Sequence, residues 1–236
     1  MKTAKDTYNE SMIKAIIFDA DGPLYYRTPE IIQKKQALLA EFGYHGDIQQ
    51  FEAAYEKEKL KGYVGAEAPE EMFQNIFRTI GLDLSRDRAT TFANEFDAIQ
   101  RQVTAVGGAT ATLKRLQNDG YKVCVLTDSF YSSEEKWQWF KDLGMDSYLD
   151  HIVSSDDIHK LKDTPDAYQS CLELLRVSAD ETVFVGHQEY EMVGARASRI
   201  TAIALTPIST PRIHSDYAIG SLSELSDLLK KLTISK

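Results

Sequence analysis

Five short runs constrain this chain more than any other feature: KAIIFDA (14–20), KVCVLTD (122–128), HIVSS (151–155), TVFVGH (182–187) and ITAIAL (200–205). Their apolar residues are continuous rather than alternating. A strand reads this way when both of its faces are buried, as in a parallel sheet sandwiched between helices. Helical segments separate the runs. Segment 111–119 places Leu113 and Leu116 inward and stops at Gly120. Segment 133–143 opens with Ser132 and Glu135 at capping-box spacing and stops at Gly144. Segment 165–177 starts at Thr164-Pro165, an N-cap followed by proline at the first helical position. Segment 222–232 carries Leu222, Leu225, Leu228, Leu229 and Leu232 on one stripe. Strands alternating with helices of this length predict βαβ units, hence an α/β fold with a Rossmann-like parallel-sheet core.

Between Leu24 and Val103 the pattern changes, and no strand-like run occurs. Helices are expected over 29–42, 48–61, 69–80 and 86–103. Each has one apolar face, such as Met72, Phe73, Ile76, Phe77 and Ile80 in the third. Four such helices make a small bundle. The predicted organisation is a flexible leader over 1–12, an α/β core over 13–24 and 104–236, and an all-helical insertion over 25–103.

Composition narrows the function classes. With 27 basic and 36 acidic residues the formal charge is −9, which gives no overall attraction to nucleic acid or an anionic membrane. No apolar run approaches the ~20 residues that span a bilayer. The polar start, MKTAKDTYNESM, lacks a signal-peptide stretch. Cys124 and Cys171 are too few for a disulfide framework and are expected to be buried core thiols. A cytoplasmic protein, monomer or homodimer, is the expectation.

Ligands of open α/β sheets collect beyond the carboxyl ends of the strands, so the residues that follow each run carry the chemistry. The first run ends in Asp19-Ala20-Asp21-Gly22. Two carboxylates this close, with no evident basic partner nearby, have two readings: a turn with solvated acids, or a nucleophile or metal ligand beside an acid/base. The second run ends in Thr127-Asp128-Ser129, where a hydroxyl and free N–H groups suit phosphate oxygens. Lys160 and Lys162 precede Pro165. The fourth run ends in Gly186-His187-Gln188-Glu189-Tyr190-Glu191. Trp137 and Trp139 are expected to pack rather than bind.

These four elements resemble the haloacid dehalogenase superfamily, most of whose members are phosphatases. Asp19 and Asp21 fall on its Asp-x-Asp-Gly motif, Thr127 on its second motif, and Lys162, Pro165 and Tyr168 on its lysine motif. The insertion after the first motif looks like a type-one helical cap. The resemblance implies Asp19 as nucleophile, Asp21 as acid and base, and Thr127, Asp128 and Lys162 around the phosphoryl group of a small phosphorylated metabolite. It also implies a divalent cation, Mg²⁺, held by Asp19, the backbone of Asp21 and the fourth motif. That motif departs from the family's Gly-Asp-x-x-x-Asp: its positions are His187 and Glu191. Imidazole suits Mn²⁺ better than Mg²⁺, so Mn²⁺ is the expected alternative. A phosphomutase, a dehalogenase or a binding protein with weakened catalysis would share this framework. In the cap, Arg27, Lys61 and Tyr63 are expected to set specificity.

Overall fold

The computed structural model describes residues 12–206 and 213–234. Nearly all of the expected leader therefore lies outside the described residues. Six strands form one parallel sheet in the order β5-β4-β1-β6-β7-β8: β1 (Ala15–Phe18), β4 (Lys122–Thr127), β5 (His151–Ser154), β6 (Thr182–Gly186), β7 (Thr201–Leu205) and β8 (Tyr217–Ile219). β1 is central. Phe18 is in register with Val125 of β4 on one side and Val185 of β6 on the other. The chain adds strands first on the β4 side and then on the β6 side. This reversal opens a crevice at the carboxyl end of β1.

Both faces of the sheet are covered, which explains why the strands are apolar without alternation. Ile16, Phe18, Val123, Val125 and Val185 share one cluster with Leu113 and Leu116 of α5 (Ala109–Asn118), Phe140 of α6 (Ser133–Asp142) and Leu229 of α10 (Leu225–Ile234). Ala15, Ile17, Cys124, Leu126 and Phe184 point the other way. They pack on Tyr168 and Cys171 of α8 (Pro165–Leu175) and Met192 and Ala195 of α9 (Glu189–Ala197). Each fully buried aliphatic side chain here contributes about 1.5–3 kcal/mol. A short α7 (Ser155–Ile158) follows β5 directly. Both thiols are buried, as expected. Among the described residues no helix is long and apolar enough to cross a membrane.

The insertion contains four helices: α1 (Glu30–Glu41), α2 (Ile48–Tyr63), α3 (Pro69–Thr79) and α4 (Arg86–Gln100). They enclose a separate core, centred on Phe51, whose ring meets Phe77, Phe92 and Phe96 edge-on at 5.8–6.3 Å. Asp47 caps α2 through Gln49 N (2.9 Å), and Ser85 caps α4 through Arg88 N (3.4 Å).

Two expectations about this region need correction. The helix predicted to reach Val103 ends at Gln100, and Thr104–Ala105 instead forms β3, paired antiparallel with β2 (Tyr25–Tyr26). The stretch is therefore not free of strands. Its two connections to the sheet are zipped together by a pairing between residues far apart in sequence, which local periodicity does not reveal. β8 was also not anticipated, since only Ile219 of its three residues is buried. The stripe over 222–232 is a 3₁₀ turn at Leu222–Glu224 followed by α10.

Candidate active site

Asp19 leaves the sheet at the end of β1, its N–H bonded to Val185 O at 2.9 Å, and its side chain is almost fully buried. It has no basic partner nearby in sequence, and tertiary structure supplies a distant one. Lys162 Nζ lies 2.5 Å from Asp19 Oδ1 and 2.6 Å from Glu191 Oε1. The other Glu191 oxygen accepts from His187 N (3.0 Å) and Gln188 N (3.1 Å), so this carboxylate caps the start of α9 while holding the lysine. Asp128 accepts from Lys162 N at 3.2 Å and from Tyr190 OH at 3.0 Å, which fixes the backbone at the lysine. Gly194 completes the arrangement. A Cβ there would lie 1.9 Å from Lys162 O, so only glycine lets α9 approach this loop.

Burial raises the cost of every charge in this cluster, and partners decide which way each group moves. Burial pushes the Asp19 carboxyl up, but Lys162 and His187 together outweigh it and hold Asp19 below its ordinary value. Burial disfavours the Lys162 ammonium, yet Asp19 and Glu191 keep it protonated well above the ordinary lysine range. Glu191 is pushed up by burial and by Asp19 beside it. Asp128 is pushed up by burial, only partly offset by Lys162.

His187 sits over Gly22, where any Cβ would meet the imidazole at 2.9–3.1 Å. Its Nδ1 lies 3.2 Å from Asp19 Oδ2 and is buried with no other hydrogen-bond partner among the described residues. Burial lowers the proton affinity of the ring, and Asp19 more than restores it. Asp19, His187 and Glu191 each bring a possible ligand atom within 4.8 Å of the others. An orphaned ring nitrogen facing a carboxylate oxygen fits a divalent cation that accepts nitrogen. Glu191 fits this role less well than the sequence suggested, because Lys162 and two backbone N–H groups already occupy its oxygens.

Beyond Asp21 and Thr127–Ser129 lies a cleft of about 180 Å³ between the strand ends and the helical insertion. Asp21, half exposed, forms an ion pair with Arg27, whose Nε also donates to Gln100 O at 2.9 Å. This partner lies six residues away in sequence and corrects the expectation that Asp21 has none nearby. Thr127 is buried at the end of β4 and borders the cleft. Of the expected specificity residues, Arg27 and Tyr63 line it, with Tyr63 set edge-on against Phe130 at 4.5 Å. Lys61 does not. It is exposed and paired with Glu58 at 2.5 Å on the outer side of α2. The exposed Lys160 pairs with Asp166 at 3.5 Å. Trp139 is buried packing, as expected. The sequence reading missed Lys136, a buried cation in the cleft wall. Its only signal was a lysine in line with Trp139 and Phe140 on the inward face of a helix.

The chain is similar to several known proteins over most of its length. Pyrophosphatase PpaX of Bacillus mycoides is 22% identical over 93% of this chain and 98% of its own length. The glyceraldehyde 3-phosphate phosphatase of Pyrococcus abyssi is 28% identical over 78% of each chain. Among solved structures, the L-2-haloacid dehalogenase of Xanthobacter autotrophicus superposes with a TM-score of 0.68 at 19% identity, covering 93% of this chain and 99% of that one. The profile of the haloacid dehalogenase-like hydrolases matches residues 16–205. The chain thus belongs to the haloacid dehalogenase-like hydrolase family.

Proposed function

We propose that this chain hydrolyses small phosphomonoesters, with Asp19 as the nucleophile. The observation that carries the reading is Asp19 itself: a carboxylate kept ionised at a central strand end, 2.5 Å from a buried ammonium and beside a small polar cleft. Carboxylate is a weak nucleophile, so the charge of the phosphoryl oxygens must be neutralised for it to attack. Lys162 and Thr127 would serve that purpose. Asp19 oxygen would bond to phosphorus as the ester P–O bond breaks, and Asp21 would give its proton to the departing alcohol. Asp21 would then take a proton from water as that water attacks phosphorus, releasing phosphate and freeing Asp19. Arg27 occupies Asp21 in the resting arrangement and must release it before Asp21 can carry a proton.

Asp19 and His187 would hold a divalent cation, which when bound supplies charge to neutralise the phosphoryl oxygens. The helical insertion acts as the cap, excluding water through Arg27 and the Tyr63–Phe130 contact. Asp21 favours this reading over halide displacement, which needs no second acid.

The test is phosphate release across a panel of small phosphomonoesters, run with Mg²⁺, with Mn²⁺ and without metal, beside chloride release from 2-chloropropionate. Phosphate release that disappears in Asp19→Asn is expected. Chloride release without phosphate release would overturn the proposal.

A further inference from the structure

Four cationic side chains line the cleft, and three of them meet a carboxylate. Arg27 pairs with Asp21, Lys35 with Glu52 at 2.8 Å, and Lys59 with Glu56 at 2.6 Å. Among the described residues Lys136 has no such partner. It projects from α6 and is 3% exposed, and its Nζ donates to Tyr25 OH at 2.9 Å. The same nitrogen sits over the Trp139 ring at 3.8 Å, with the Tyr131 and Tyr25 rings at 4.9 and 5.4 Å. An ammonium has three donors. One phenol and a set of aromatic faces leave it undersupplied with acceptors.

Nothing in α6 requires a lysine there. Position 136 lies on the inward face with Trp139 and Phe140, where an aliphatic residue would pack at no electrostatic cost. A buried charge that breaks the local pattern belongs where function compensates for it. Burial and the nearby Arg27 push Lys136 down to about 7, against the smaller upward pull of Asp21 and Asp19. Lys136 forms part of the lining of the cleft of about 180 Å³, a volume suited to a molecule well below drug size.

We propose that Lys136 is a specificity-determining residue of the cleft. It is the counter-charge for a second oxyanion that the substrate carries in addition to the phosphoryl group transferred to Asp19. The inference rests on the phosphatase reading above. Two sources share the required chemistry: a carboxylate on the leaving alcohol, or a second phosphoryl group.

Three probes separate them: ethyl phosphate, carboxymethyl phosphate and inorganic pyrophosphate. Ethyl and carboxymethyl phosphate differ only in a methyl group against a carboxylate. Binding is measured by titration calorimetry in the Asp19→Asn protein, which removes turnover, with and without Lys136→Met. With Lys136 present, carboxymethyl phosphate or pyrophosphate should bind about tenfold or more tightly than ethyl phosphate, the value of a charge-assisted contact. Lys136→Met should collapse that ratio towards one and leave ethyl phosphate affinity nearly unchanged. Whichever of carboxymethyl phosphate and pyrophosphate loses affinity identifies the source. Lys136→Gln, which keeps a polar tip without charge, gives the same comparison if Lys136→Met does not fold. If ethyl phosphate binds and the ratio survives both substitutions, or if the ratio is near one from the start, the inference is overturned and the phosphatase reading stands. If none of the three binds, the phosphatase reading falls and takes the inference with it.

Discussion

Lys162 and Lys136 are both withdrawn from water, at 2% and 3% exposure, yet their surroundings are opposite. Lys162 touches two carboxylates and is held protonated well above its ordinary range. Lys136 touches a phenol and an indole, and burial with Arg27 nearby brings it down to about 7. The difference teaches that depth alone says little about a buried charge. Lys162 is matched within the protein and organises Asp19. Lys136 is unmatched, and the protein gains a charge that a ligand can complete.

The largest effect should come from breaking the matched side. Lys162→Met leaves Asp19 and Glu191 facing each other without a cation. Removing one partner of a buried pair costs about 3–5 kcal/mol of folding stability. Turnover should fall about 10²-fold or more, the loss typical of removing a charge contact in a closed site. Chemical denaturation and phosphate release measure the two effects. An unchanged denaturation midpoint would show that Lys162 is not matched as described.

His187→Asp sharpens the same side. It places a third carboxylate beside Asp19 and Glu191, so the protein should lose stability without metal and gain hard oxygen ligands for Mg²⁺. The rise in melting temperature on adding Mg²⁺ should therefore be larger in His187→Asp than in the unsubstituted protein, by linkage of binding to folding. Equal rises in both would remove His187 from the cation site.

On the unmatched side the sign reverses. Lys136→Met should raise stability, and the gain should depend on pH. The folded-state value is about 7 against 10.5 for free lysine, so between these limits the unfolded chain holds a proton that the folded one has released. Stability of the unsubstituted protein therefore rises with pH across that window. The penalty from Lys136 is fully present below about pH 7 and gone above about pH 10.5. The advantage of Lys136→Met should be greatest near the lower limit and shrink towards the upper one, as followed by urea denaturation. A gain independent of pH would mean that Lys136 is not buried as a charge.

Lys160 supplies the smallest expected effect. Two residues from Lys162 but exposed and paired with the exposed Asp166, its replacement by alanine should change stability by no more than about 0.5 kcal/mol. Kinetic losses equal to those of Lys162→Met would erase the distinction between them.

The contrast also shows what the sequence could and could not reveal. Lys162 was legible through the family resemblance, because the motif that carries it is local: a lysine at fixed distance from Pro165 and Tyr168, between two apolar runs. The sheet core was legible for a similar reason, since burial on both faces leaves continuous apolar runs. Lys136 was not, because its surroundings come from β2 and from the loop after β4, which only the fold brings to α6. The pairing of Tyr25–Tyr26 with Thr104–Ala105 was hidden in the same way. Arg27 lies only six residues from Asp21, but a turn of unknown shape separated them, so their ion pair was not evident. Glu191 was legible as an acid near the site. Its engagement with two backbone N–H groups depends on how α9 begins, a detail of geometry that spacing does not carry.

The central claim, that Asp19 takes the phosphoryl group, is tested most directly by acid-quenching the protein during turnover of a phosphomonoester and sequencing its peptides by mass spectrometry. The account predicts the mass of one phosphoryl group on the peptide containing Asp19, localised to that residue and absent from Asp19→Asn. Phosphate release with no modified Asp19, or a phosphoryl group on another residue, would contradict it.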